Sequence, residues 1–369
     1  MMKIRLEQLY RFLEERGYEG LVATGRSNQL TFIDHPDPTT VFSWPGGGGV
    51  PYLLIRKDGQ TSFPSVVQSN ACRDKLAGFE VVTNDLGDPP PDTQLASYLK
   101  RSGLRRLATD GLSDAVLKQI GTEAPGLTLH NEFDALRDMR RRRTPEEIDM
   151  IRKAAAIGDA GLDAAFAALR IGGTPREAEA QGVSTMLRAG CESAMINVVT
   201  GPGTQYLDSG TDFRRTLENG DMVFMDISIS YKGYLGDQTR AGIIGEGGAA
   251  QRDLLETVKQ SFYEVRAALV PGARAQDVYA IHCRNMEKRG WRKYFLHHIS
   301  HGVGLGGSDA GPAINPSSQD VLREDDVISC EPGVYVPGIG GARFEDVVHI
   351  TAVGPIPLTL SAIDRVIKG

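Results

Sequence analysis

Residues 222–244 read MVFMDISISYKGYLGDQTRAGII, and this stretch decides the fold. Apolar and polar residues alternate on both sides of Tyr231-Lys232-Gly233, which predicts two strands around a tight turn. Val223, Met225, Ile227 and Ile229 share one face, and Phe224 and Asp226 share the other. With the turn near Lys232, Asp226 and Asp237 fall close to opposite each other. Like charges facing across strands, with Cβ atoms ~5 Å apart, destabilise a hairpin.

A second stretch, residues 329–350, repeats the arrangement in SCEPGVYVPGIGGARFEDVVHI. Its glycine-rich turn centres on Gly338, and Glu331 and Glu345 stand seven residues to either side. A single acid in a strand is ordinarily turned to water, because buried unpaired carboxylates are rare. Two facing pairs repel unless something neutralises them. Protonation relieves one acid per pair, whereas cations relieve all four. Between the hairpins lies FLHHISHGVGLG, in which Gly302 and Gly304 leave room for close backbone approach beside His301. A histidine in such a run is ordinarily a satisfied core or surface residue; its place between two acidic hairpins makes His301 a fifth ligand candidate. Four carboxylates and an imidazole suit manganese, cobalt or zinc and not a soft thiolate site. Two divalent ions balance the four negative charges.

Working outward, the two hairpins belong to an approximate internal duplication. Helices over about 145–170 and 175–189 precede the first strand-rich stretch, and helices over about 250–269 and 274–289 precede the second. Two αα-ββ halves packed into one sheet is the simplest arrangement. Thr144-Pro145-Glu146-Glu147 has an N-cap, a first-turn proline and a capping-box glutamate, and Thr174-Pro175-Arg176-Glu177 repeats the device. Before it, the run Arg140 to Arg143 reads as a solvated linker.

The first third alternates helices and strands. Leu6, Leu9, Tyr10 and Leu13 share a helical face that ends at Gly17; GLVAT, YLLIR and FEVVT have strand length, and a further helix lies near Gln94 to Leu99. The run Gly46 to Gly49 lacks the Gly-Lys-Ser/Thr ending of a phosphate loop and reads as a connecting loop. The expected organisation is an α/β domain over residues 1–134, a linker over 135–144 and an α+β domain over 145–369.

The 369 residues exceed what one core usually serves. A net charge of -6 argues against a general nucleic-acid binder, and no apolar run is long enough to span a bilayer. The charged N-terminus reads as an amphipathic helix and not a secretory signal. Cys72, Cys191, Cys283 and Cys330 show no paired spacing, which fits reduced thiols in a cytoplasm.

Taken together, MDIS, GDQTR, SHGVG, EPGVY and ARFED resemble the motif set of the pita-bread metallopeptidases: Xaa-Pro aminopeptidases, prolidases and methionine aminopeptidases. The first third looks like the N-terminal domain of the creatinase and prolidase branch. The resemblance implies a pita-bread α+β catalytic domain behind a creatinase-type α/β domain, and a homodimer. It implies that Asp226 and Asp237 bind one ion, with Asp237 and Glu345 bridging to a second that His301 and Glu331 complete. A water bridging both ions would then lose a proton and attack a polarised carbonyl, with Glu331 as proton carrier. His297 and Arg343 match positions that meet the C-terminal side of the substrate.

Two histidines of the proline-specific branch are missing. Ser209 and Ser308 stand at the corresponding places, and Tyr206, Asp208 or Asp309 are the polar groups near enough in sequence to substitute. Three functions remain open: an Xaa-Pro-type exopeptidase of altered specificity, a hydrolase or lyase of a small non-peptide metabolite, and a binding module on an inactive scaffold. Intact ligands speak against the last.

Overall fold

A computed structural model describes residues 2–33, 50–209 and 212–367, so the run Gly46 to Gly49 lies outside the described residues. The chain divides into two compact units, Met1–Arg140 and Arg141–Gly369.

In the first unit, helix α1 (Met2–Arg16) buries Leu6, Leu9 and Leu13, and Gly17 ends it with a positive φ of 68°. The unit carries a six-stranded mixed sheet in the order β4-β3-β2-β1-β5-β6. Its strands are β1 (Leu21–Ala23), β2 (Tyr52–Arg56), β3 (Gly59–Phe63), β4 (Glu80–Val81), β5 (Arg106–Thr109) and β6 (Thr128–Asn131). Helices α2 (Arg26–Phe32), α3 (Val66–Lys75), α4 (Pro91–Ser102), α5 (Asp114–Glu123) and α6 (Phe133–Arg141) complete it. Strand β3 is polar in sequence, yet Gln60, Thr61 and Ser62 are buried, and Gln60 Nε2 donates to the Phe32 carbonyl at 2.9 Å.

In the second unit the helices are α7 (Pro145–Ala167), α8 (Pro175–Arg188), α9 (Ala249–Ala267) and α10 (Ala275–Glu287). Both expected capping boxes form: Thr144 N donates to Glu147 Oε2 at 2.8 Å, and Thr174 N donates to Glu177 Oε2 at 2.8 Å. Strands β7 (Ser193–Thr200), β8 (Met222–Tyr231), β9 (Tyr234–Ile244) and β17 (Val366–Ile367) form a sheet in the order β17-β9-β8-β7. Strands β10 (Gly302–Gly304), β11 (Gly307–Asp309), β12 (Val327–Cys330), β15 (Asp346–Thr351) and β16 (Gly354–Pro357) form another, in the order β11-β10-β12-β15-β16. A hairpin of β13 (Gly333–Val336) and β14 (Gly340–Arg343) pairs separately. One core cluster packs Val223, Met225, Ile227 and Ile229 with Leu162, Ala165 and Met186 of α7 and α8. Another packs Met222, Phe224 and Ala241 with Val258, Phe262 and Val278 of α9 and α10. The face alternation read from the sequence therefore places a helix pair against each side of β8.

Three expectations change. The two halves do not fuse into one sheet; the β12–β15 and β13–β14 ladders share a register but stop at Cys330↔Asp346 and Gly333↔Arg343. In the break the Glu331 N–H donates to the Ile299 carbonyl and the Glu345 N–H to the Thr239 carbonyl. The β8–β9 turn is the two-residue Lys232-Gly233, both at positive φ, so Asp226 faces Thr239 and Asp237 faces Ser228. The two aspartates are thus diagonal neighbours on one face and not direct partners. Finally, the arginine run is not a solvated linker: Arg140, Arg141 and Arg143 are buried. Arg141 forks onto Asp326 at 2.6 and 2.8 Å, and Arg143 Nη1 reaches Asp309 at 2.9 Å. Buried arginines need such acids, which lie far along the chain.

The four cysteines are free thiols. No helix among the described residues is long and apolar enough to cross a membrane.

Candidate metal centre

The break between the two ladders is where the acids gather. Strands β8 and β9 present Asp226, Asp237 and Thr239 on one face, and the Glu345 N–H bond to Thr239 draws the second hairpin onto it. His301 enters on the segment before β10. Its N–H donates to Ser329 Oγ at 2.9 Å, and the Ser329 N–H donates back to its carbonyl at 2.9 Å. Gly302 is required here, because a Cβ would lie 2.3 Å from the Asp309 carbonyl oxygen. A Cβ on Gly304 would meet Arg143 Nη2 at 2.4 Å, so both glycines allow the close approach expected of them.

The structure brings ligand atoms of Asp237, His301 and Glu345 within 4.8 Å of one another. Two ligands on one ion, each bound at ~2.2 Å, are at most roughly 4.4 Å apart, so this spacing is close to a ligating one. Glu331 Oε1 lies 3.7 Å and Asp237 Oδ2 3.4 Å from His301 Nε2. Asp226 joins through Thr239, whose Oγ1 is 2.7 Å from Glu345 Oε2 and 3.3 Å from Asp226 Oδ1. One hydroxyl hydrogen serves one acceptor, and the Glu345 contact is the shorter. On the other side Asp226 pairs with the Arg343 guanidinium.

The electrostatics describe a crowd of acids short of positive charge. Burial, then the neighbouring carboxylates Asp237, Glu331 and Asp226, pushes the Glu345 carboxyl well above the usual range. Burial likewise raises Glu331. Burial opposes the charged form of His301, but Asp237 and Glu331 overcome it and lift the imidazole to about 9. Hard oxygen donors with one imidazole, already strained by mutual repulsion, fit divalent cations.

Of the two residues expected on the substrate side, Arg343 is buried and directed at its own protein. Its Nε donates to Thr239 Oγ1 at 3.1 Å, Nη1 to Tyr335 Oη at 3.2 Å, and Nη2 to Asp226. His297 has its Nδ1 on the His298 carbonyl and its Nε2 3.1 Å from Tyr335 Oη. A carbonyl only accepts, so Nδ1 carries the proton and Nε2 accepts from the tyrosine. Burial, helped by the Arg343 charge, holds this imidazole neutral, at about 3. Asp309, a possible stand-in for a missing histidine, is tied to Arg143 with a side chain 1% exposed. Tyr206 is largely exposed. Ser308 pairs with Val303, and the Ser209 and Asp208 side chains lie outside the described residues.

Sequence reasoning passed over Thr239, Tyr335 and His298. Thr239 carried a signal, since it stands two residues beyond Asp237 on the same strand and therefore on the same face. His298 Nε2 lies 3.7 Å from Glu331 Oε1. Nothing in HHISH alone marks which histidine reaches that acid.

Comparison with known proteins agrees with this geometry. Residues 149–352 match the model of metallopeptidase family M24. An Xaa-Pro dipeptidase of Pyrococcus furiosus is 29% identical over 362 residues, covering 97% of this chain and 98% of that protein. A putative dipeptidase of Bacillus subtilis is 30% identical over 262 residues, covering 70% of this chain and 71% of its own. The X-Pro aminopeptidase structure from Thermotoga maritima superposes with a TM-score of 0.84 at 20% identity, covering 97% of this chain and 98% of that one. The chain belongs to metallopeptidase family M24, with the pita-bread fold. It is a metal-dependent hydrolase.

Proposed function

We propose that this chain is a dinuclear metallo-exopeptidase, an Xaa-Pro-type dipeptidase or aminopeptidase of altered specificity. The observation that carries the reading is the convergence of Asp237, His301 and Glu345, with Glu331 and Asp226 beside them, in a chain alignable almost end to end with an Xaa-Pro dipeptidase. Asp226, Asp237, His301, Glu331 and Glu345 hold two divalent ions, manganese first among the candidates and cobalt or zinc next. Such ions supply Lewis acidity and a hydroxide nucleophile near neutral pH. The protein holds the acids in register, and Glu331 carries the proton between nucleophile and leaving nitrogen. His297 and Arg343 border the substrate side, locked to each other through Tyr335.

In the same reading, residues 1–134 are a creatinase/prolidase-like N-terminal domain, 135–144 a connection and 145–369 the catalytic domain of a cytoplasmic homodimer. A second reading, a hydrolase or lyase of a small non-peptide metabolite, is favoured by one observation. Ser308 stands where a histidine is expected, and the adjacent Asp309 is consumed by Arg143.

A peptide panel tests the choice. Manganese-loaded wild type, Glu331→Ala and Ser308→His are assayed on Xaa-Pro and other dipeptides, longer peptides and small amides. Weak Xaa-Pro cleavage by the wild type, abolished in Glu331→Ala and raised in Ser308→His, supports the peptidase. Cleavage of no peptide by any form overturns it in favour of the metabolite reading.

A further inference from the structure

Three nitrogen-bearing side chains surround the carboxylate cluster on the side of Tyr335 and Glu331: Arg343, His297 and His298. Arg343 is 3% exposed and its guanidinium donates to Asp226, Thr239 and Tyr335. His297 donates from Nδ1 to the His298 carbonyl and accepts from Tyr335 at Nε2. Both are committed to neighbours within the protein. His298 is the open one of the three: its side chain is 53% exposed, and Nε2 stands 3.7 Å from Glu331 Oε1. That same oxygen lies 3.7 Å from His301 Nε2, so the two imidazoles approach one carboxylate from different directions. Their ring planes are 71° apart with centroids separated by 6.3 Å, so they do not stack.

The backbone around His298 is fixed. Its carbonyl accepts the hydrogen bond from His297 Nδ1–H, and the next residue, Ile299, is fully buried with its N–H on the Ile314 carbonyl at 3.1 Å. The half-exposed imidazole on this anchored backbone stands within reach of Glu331. It also lies outside the ligating group of Asp237, His301 and Glu345. Beside acids that divalent cations would neutralise, such a side chain is placed to meet an anionic group of a substrate.

We infer that His298 is a substrate-contacting residue that donates a hydrogen bond to the free carboxylate of a short peptide held over Glu331. The inference rests on the peptidase reading above, and it makes His298 a determinant of preference for free acids over capped peptides.

The test compares the manganese-loaded wild type with His298→Ala and His298→Gln on an Xaa-Pro dipeptide and on its C-terminal amide. A hydrogen bond to a charged group corresponds to roughly tenfold or more in binding. His298→Ala should raise KM for the free acid by about that factor. It should leave kcat, the KM of the amide and the manganese content nearly unchanged. His298→Gln, which keeps a donor, should recover part of the loss. Calorimetry with proline and prolinamide reads the same contact without turnover: His298→Ala should lose affinity for the acid only. Equal effects on acid and amide, or no effect, overturn the inference. Loss of manganese in His298→Ala also overturns it, making the residue a metal ligand. If the wild type cleaves neither peptide, the peptidase reading falls separately, and calorimetry still decides the contact.

Discussion

Arg240 offers the sharpest perturbation of the scaffold behind the acids. Its side chain is 1% exposed. Nε and Nη2 donate to the Ser361 carbonyl at 3.0 and 2.8 Å, and Nη1 donates to the carbonyls of Thr239, at 3.0 Å, and Glu345. Nη2 also pairs with Asp346 at 2.8 Å, a carboxylate likewise 1% exposed. One guanidinium thus ties β9 to the segment carrying Glu345. Replacing it with methionine keeps much of the volume and strands those acceptors. Breaking a buried pair from one side costs about 3–5 kcal/mol. Here the lower end applies, because Arg266 and Thr359 still reach Asp346. For a cooperative unit of Arg141–Gly369, an unfolding entropy of ~2 cal/mol/K per residue converts that lower figure of ~3 kcal/mol to a fall of roughly 6–7 °C in Tm. The assay is calorimetric melting of wild type and Arg240→Met, each with manganese and with chelator. Arg152→Ala serves as the control, since Arg152 is half exposed beside Asp149 and should change little. The metal-dependent part of Tm should shrink in Arg240→Met, because Thr239 and Glu345 lose a shared anchor. A variant melting within ~2 °C of wild type, with an unchanged metal response, would refute the reasoning.

Two further predictions rest on charge. Stripping metal leaves the acids crowded, so chelator should lower Tm and manganese restore it, with a stabilisation of about 2.7 kcal/mol per bound ion at a hundredfold excess over Kd; Cys330→Ala should keep that response, and identical melting with and without metal would contradict a preformed acidic site. Burial holds the His282 imidazole down to about 4, with Ser261 Oγ at 2.8 Å and the Gly333 carbonyl at 3.1 Å as partners. The unfolded chain takes that proton from pH ~6.5 downward while the folded chain does not until about 4. Stability should therefore be unaffected by this group above pH ~6.5 and fall by roughly 3 kcal/mol towards pH 4. His282→Gln should flatten that slope in denaturant titrations, and an unchanged slope would disprove it.

What was legible in the sequence was what is local. The helix starts at Thr144 and Thr174 follow from capping boxes within four residues, and the faces of β8 follow from strict alternation. The acidic hairpins were visible because each pair lies within one hairpin. The β8–β9 register was missed by two residues, because it depends on Lys232 adopting a positive φ that the letters Tyr-Lys-Gly do not fix. Strand β3 was hidden because its buried residues are polar, with Gln60 and Thr61 satisfied by tertiary bonds. The arginine run was misread for the same reason: Asp309 and Asp326 lie 166 and 185 residues from their partners Arg143 and Arg141. His298 was overlooked because its distance to Glu331 is set by folding and not by spacing.

The central claim is that five side chains build one dinuclear centre. Elemental analysis of protein reconstituted with excess manganese and then dialysed tests it most directly, on wild type, Asp237→Ala and Glu345→Ala. The account predicts about two ions per wild-type chain and loss of both in either variant, since a bridging ligand serves each ion. One ion or none in the wild type, or full occupancy in either variant, would contradict it.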